Sequence, residues 1–135
     1  MTTPEVHAST TLSLQGKTAL VTGSASGIGR RIAEVFADAG ANIVIADLRL
    51  QDAQATAGAI ASKGVKTLAV AMDVTDEAAV DAGFDQVQKA LGAVDVLVSN
   101  AGIQIVAPID QFKFSDWKKL IAVHLDGGFL TARAA

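Results

Sequence analysis

The sequence has 135 residues, of which 50% are hydrophobic and 4% aromatic, with a formal net charge of -3. That length suits one domain or part of one, with a core packed mainly by Val, Ile, Leu and Ala. The charge argues against a broad nucleic-acid surface, the lack of cysteine excludes a disulfide scaffold or thiolate metal site, and His7 and His124 alone make no His-rich metal site.

In chain order, residues 1–11 read as a polar leader with Pro4 and several threonines. They show neither an apolar signal core nor an early positive cluster, and no run is long enough to span a bilayer, so a soluble cytoplasmic chain is expected. The ordered domain is expected over 12–135. Thr18 to Thr22 is a short apolar run ending at glycine, which suits a buried strand. A helix follows over 28–39, with Ile28, Ile32, Val35, Phe36 and Ala39 on one stripe and Gly40 at its C′ position. A second strand covers 42–47, an alanine-rich helix covers 50–63 before Gly64, and a third strand covers 67–72. Thr75 is placed as the cap of a third helix that carries Asp76 and Glu77 in its first turn and ends near Leu91. Residues 94–99 read as a fourth strand, buried on both faces. Pro108 breaks the following segment, and Ser115 is placed as the cap of a fourth helix from Asp116, with Trp117, Ile121, His124 and Gly128 on one face. Trp117 and His124 are expected in the core there.

Apolar strands alternating with helices predict an α/β fold: a Rossmann-type, doubly wound parallel sheet covered on both faces. Right-handed crossovers wind strands one to three in one direction and send strand four to the other side of strand one, giving the order 3-2-1-4. The reversal opens a crevice at the ends of strands one and four, which brings the loop after Gly23 beside Asn100-Ala101-Gly102.

The run Thr22-Gly23-Ser24-Ala25-Ser26-Gly27-Ile28-Gly29 lies between a strand and a helix, the context in which a glycine pattern signals a dinucleotide site rather than an ordinary turn. Gly23 permits a tight turn, Gly27 lets backbone approach a pyrophosphate, and Gly29 allows close helix packing. Ser24 and Ser26 offer hydroxyls, and the helix start offers N–H groups. Arg30 and Arg31 run against the helix dipole and read as a solvated face. Asp47 ends strand two about 20 residues on, where a carboxylate accepts the adenosine ribose hydroxyls and repels a 2′-phosphate. With no basic residue in the glycine loop this favours NAD over NADP, although Arg49 stands close enough to reach a phosphate. Asp73 suits an adenine contact or a turn-capping role equally. Asn100 is placed to hold neighbouring backbone.

Together, Thr22 to Gly29, Asp73-Val74 and Ser99-Asn100-Ala101-Gly102 resemble the short-chain dehydrogenase/reductase family, from about Leu14 to the last residue. Ser99 departs from the usual asparagine. The resemblance implies an NAD-dependent oxidoreductase that holds its cofactor with Gly23, Ser24, Ser26, Gly27, Ile28, Gly29, Asp47, Leu48, Asp73, Val74, Asn100, Ala101 and Gly102. The segments Asn100 to Gln104, Asp116 to Lys119 and His124 to Gly127 are more particularly similar to bacterial D-3-hydroxybutyrate dehydrogenases. That implies a small hydroxy-acid substrate, with Gln104 helping to hold its carboxylate, and a homo-oligomer, a tetramer, as the assembly. His124 stands where the family often has a helix-four asparagine that supports a proton relay. The family's chemistry also needs a serine, a tyrosine and a lysine beyond helix four; the chain has no tyrosine, so it is expected to be the front half of such an enzyme. Other members of the family, a sugar dehydrogenase or a 3-oxoacyl reductase, and a non-catalytic dinucleotide-binding protein are the alternatives.

Overall fold

The computed structural model describes residues 12–135, so the leader expected over 1–11 lies outside the described residues. Strands β1 (Thr18–Thr22), β2 (Asn42–Asp47), β3 (Thr67–Ala71) and β4 (Val96–Val98) form a single parallel sheet in the order β3-β2-β1-β4. Helices α1 (Gly27–Asp38), α2 (Leu50–Ala61) and α3 (Glu77–Leu91) connect them. After β4 comes a 3-10 turn at Ile109–Gln111, next to Pro108. Helix α4 (Phe114–Ile121), a π-helical stretch (Ala122–Asp126) and α5 (Gly127–Ala134) follow. Among the described residues, no helix is long and apolar enough to cross a membrane.

The period-2 alternation of strand side chains explains the layering. Ala19, Val21, Ile43 and Ile45 point to one face and pack with Ala33, Ala37, Ala53, Ala57 and Ile60 of α1 and α2. Leu20, Val44, Ala46 and Val70 point to the other and pack with Val80, Phe84 and Val87 of α3, with Leu130 of α5 partly covering them. Fully burying each such Val, Leu or Ile side chain stabilises the fold by about 1.5–3 kcal/mol. The two central strands, with apolar residues in both phases, are therefore held from both sides.

Several local expectations are corrected. The buried stripe of α1 is Gly29, Ala33 and Ala37, flanked by Ile32 and Phe36, while Ile28 and Val35 are exposed. The small residues face the sheet because they let the helix axis come close. Gly40 takes φ +95 and ends α1 in a Schellman arrangement, with Gly40 N–H donating to the Ala37 carbonyl at 2.9 Å and Ala41 N–H to that of Phe36 at 3.0 Å. The cap of α3 is Asp76, not Thr75: its carboxylate accepts from Ala78 N at 3.0 Å and Ala79 N at 3.3 Å. Helix α4 starts at Phe114 after Lys113, so Ser115 lies inside it and caps nothing. Strand β4 is three residues long, half-buried, and among the described residues pairs with β1 alone. Trp117 is half-exposed and His124 exposed, so neither is a core residue.

Candidate functional site

The chain leaves β1 at Thr22, turns at Gly23 (φ +62) and enters α1 through Gly27 (φ +60). Both angles lie in the left-handed region, where a side chain is disfavoured. A Cβ on Gly23 would stand 2.9 Å from the Cα of Ala101, so this glycine also lets the loops after β1 and β4 touch. A Cβ on Gly29 would stand 2.5 Å from the Gly23 carbonyl and from Asn100 Nδ2. The third glycine therefore packs against the loop itself. Among the described residues nothing lies within 4 Å of the corresponding point on Gly27, which leaves open space beside the helix start.

The loops are locked by hydrogen bonds. Thr22 Oγ1 accepts from the N–H groups of Asn100 and Ala101, each at 3.0 Å, and donates to the Val98 carbonyl at 3.5 Å. Asn100 Nδ2 donates to the carbonyls of Thr22 and Gly23 at 3.0 and 3.1 Å. Asn100 thus holds neighbouring backbone in register. The Ser24 hydroxyl faces inward: it is fully buried and donates to the Val21 carbonyl at 2.6 Å, shaping the turn instead of offering a contact to the cleft.

A cavity of about 280 Å³ lies at these strand ends, lined among others by Gly23, Ser26, Asp47, Leu48, Asp73, Val74, Asn100, Ala101 and Gly102. Of the residues expected to hold a cofactor, Ser24, Gly27, Ile28 and Gly29 do not line it; Ile28 points to solvent and Gly29 is buried behind the turn. Asp47 Oδ2 accepts from Ala25 N at 3.1 Å, and its Oδ1 accepts from Arg49 N at 3.3 Å. The carboxylate is thereby fixed at the cavity wall. Asp73 Oδ1 accepts from Thr75 N at 2.9 Å and from the Thr75 hydroxyl at 2.7 Å, so Asp73 shapes the turn before α3 while also lining the cavity.

The charges sort in a consistent direction. Ser26 makes no side-chain cap bond and α1 has no acid in its first turn, so the leading N–H groups remain for an anionic oxygen. Arg30 and Arg31 pair with Glu34 at 3.0 and 3.2 Å, along the helix. Hydrogen bonds from Arg30 and then Arg31 hold the Glu34 carboxyl below the usual carboxylate range. Arg49 turns to Asp52, with Nε 3.0 Å from Oδ2. A dinucleotide fits this donor set: an uncapped helix start opposite open space at Gly27, and a fixed carboxylate at the end of β2.

His124 sits in the π-helical stretch, with Nε2 2.8 Å from the Ile103 carbonyl and 3.1 Å from the Ile103 N–H. One nitrogen either donates to the carbonyl or accepts from the amide, so one of these contacts is made at a time. The ring also lies under Gly102, where a Cβ would stand 2.6 Å from Cε1. His124 therefore braces the turn after β4. Gln104, next along, is exposed and does not line the cavity.

Two hydroxyls have roles that the sequence reading does not give. Thr22 opens the glycine-loop motif, but its hydroxyl gains meaning only once β4 lies alongside. Thr56 donates to the Ala25 carbonyl at 2.7 Å. Its signal is a polar residue on the buried face made by Ala53, Ala57 and Ile60 of α2.

Residues 17–135 match the family model described as short chain dehydrogenase. The chain is 40% identical over 121 residues to D-threitol dehydrogenase of Mycolicibacterium smegmatis, covering 90% of this chain and 46% of that protein. A sorbitol dehydrogenase of Cereibacter sphaeroides is also 40% identical over 121 residues, with 90% of this chain and 46% of that protein covered. Among solved structures, a gluconate 5-dehydrogenase from Burkholderia cenocepacia in complex with NADP and tartrate matches with a TM-score of 0.86 and 42% identity, over 91% of this chain and 48% of that one. The chain thus spans about half the length of these relatives.

Proposed function

The chain belongs to the short-chain dehydrogenase family, and from that premise we propose that it binds NAD in the crevice between β1 and β4 and forms the cofactor-holding part of an oxidoreductase. The observation that carries this reading is Asp47, whose carboxylate stands at the cavity wall with both oxygens held by backbone N–H groups. There it accepts the two adenosine ribose hydroxyls and repels a 2′-phosphate. Arg49, a cation near enough in sequence to offset that repulsion, is turned to Asp52. The start of α1 receives the pyrophosphate, Asp73 and Val74 border the adenine, and the backbone from Asn100 to Gly102 lies along the nicotinamide side. When bound, the nicotinamide supplies the hydride-accepting carbon. The 135 residues hold no tyrosine, so none of them is the acid–base group that takes the substrate proton in the family's chemistry.

For the substrate we favour a small hydroxy acid, D-3-hydroxybutyrate oxidised to acetoacetate, with Gln104 donating to its carboxylate; the support is the resemblance around Gln104. A polyol or sugar is the second reading, supported by the relatives named for D-threitol and sorbitol. The assembly we propose is a homo-oligomer, a tetramer, of the complete enzyme.

The test is calorimetry of NAD with Gly27→Val. A branched side chain at φ +60 is strained and fills the open space beside the helix start, so binding is expected to be lost. Unchanged affinity in a folded variant refutes the assignment.

A further inference from the structure

Ala25 lies in the middle of the glycine loop and is 6% exposed. Side chains from two other elements hold its peptide groups. Its N–H donates to Asp47 Oδ2 at 3.1 Å, and its carbonyl accepts from Thr56 Oγ1 at 2.7 Å. Thr56 is 2% exposed and shares its helix face with Ala53, Ala57 and Ile60. A hydroxyl in such a place is tolerated only with a partner, and the Ala25 carbonyl is that partner.

The geometry has a consequence for the next residue. The Ala25 carbonyl and the Ser26 N–H belong to one peptide plane, and the chain has no cis bond among the described residues. In a trans peptide these two groups point in opposite directions. Anchoring the Ala25 oxygen on α2 therefore directs the Ser26 N–H away from α2. Ser26 is the cap residue of α1 and lines the cavity. Asp47 meanwhile fixes the preceding plane, so the loop meets a ligand with its donors already oriented.

We propose that Thr56 is a positioning residue for the pyrophosphate of the dinucleotide, acting through the Ala25–Ser26 peptide; this rests on the dinucleotide reading above. A hydroxyl that serves only packing or folding would not distinguish ligands with a pyrophosphate from ligands without one. A hydroxyl that orients the Ser26 amide does.

The experiment compares the full chain with Thr56→Val and Thr56→Ser, using calorimetry for NADH and ADP-ribose and an NMR titration for adenosine. Thr56→Val is expected to weaken NADH and ADP-ribose about tenfold, the scale of one misoriented hydrogen bond to a charged group. Adenosine, which has no phosphate, is expected to bind unchanged, and Thr56→Ser is expected to restore the dinucleotide. Circular dichroism establishes that each variant is folded. If the valine chain does not fold, Thr56→Ala takes its place. Wild-type affinity for NADH in the variant lacking the hydroxyl overturns the proposal, and so does an equal loss of adenosine and NADH. It is overturned too if neither variant folds while Thr56→Ser does, for Thr56 is then a folding residue. A wild-type chain that binds none of the ligands overturns the dinucleotide reading, and the role of Thr56 with it.

Discussion

Asp47 has both oxygens engaged by backbone amides, from Ala25 on one side and Arg49 on the other. In the proposed dinucleotide reading, a carboxylate held this way would accept two ribose hydroxyls, and its charge would repel a 2′-phosphate. Asp47→Ser keeps a small acceptor for the Ala25 N–H but removes the charge. It is expected to weaken NAD by on the order of 1.5–3 kcal/mol, the range for hydrogen bonds to a charged group, and to relax rejection of NADP. The ratio of the two dissociation constants checks this, and a wild-type preference for NADP refutes it. At this scale the sequence was most legible where backbone geometry dictates the residue. Gly23, Gly27 and Gly29 could be read because each has a conformational or steric reason visible as a pattern. Hydroxyls and rings were less legible. Ser24 turns inward, Thr22 and Thr56 reach partners 78 and 31 positions away, and His124 braces a turn 21 positions back. Such pairings depend on tertiary placement, which no local pattern encodes.

The elements follow from periodicity, but their ends follow from caps. Thr75 and Asp76 are adjacent candidates for the start of α3, and composition does not separate them. The structure does: Asp76 is extended, at φ -108 and ψ 111, and accepts from the N–H groups of Ala78 and Ala79, while the Thr75 hydroxyl is drawn to Asp73. Asp76→Ala is therefore expected to lower unfolding stability by about 1 kcal/mol, the usual cost of losing such a cap. Thr75→Ala, on the exposed side of the turn, is expected to cost less. Urea titrations of both variants measure the difference, and the reverse order refutes the assignment of the cap. The buried stripe of α1 departs from the periodic expectation for a related reason. Counting large apolar residues selects Ile28 and Val35, yet the face that meets the sheet is chosen by closeness of approach, which favours Gly29, Ala33 and Ala37. Period alone does not say whether a helix face buries bulk or proximity.

For the molecule as a whole, the strand order β3-β2-β1-β4 was legible because crossover handedness leaves few alternatives once strands and helices alternate. The same order determines which surfaces lack cover. Strand β4 pairs with β1 on one side only, so the backbone groups of its outer edge face no strand among the described residues. A short distance along the chain, α4, the π-helical stretch and α5 expose Phe114, Trp117, Leu125 and Phe129, each more than half accessible. These are large apolar side chains at helical spacing, and an open edge close by in sequence adds a template for backbone pairing. A chain of these 135 residues is therefore expected to self-associate, and to bind NAD without reducing it, because no tyrosine is present to take the substrate proton. Replacing Leu125 and Phe129 with lysine places like charges on the apolar face while leaving the cavity residues untouched. Light scattering is expected to show assemblies for the wild-type chain and smaller species for the double variant. An assay of NADH formation with D-3-hydroxybutyrate and with D-threitol is expected to read zero for both chains. A wild-type monomer that reduced NAD with either substrate would refute the association and the need for a tyrosine in one result.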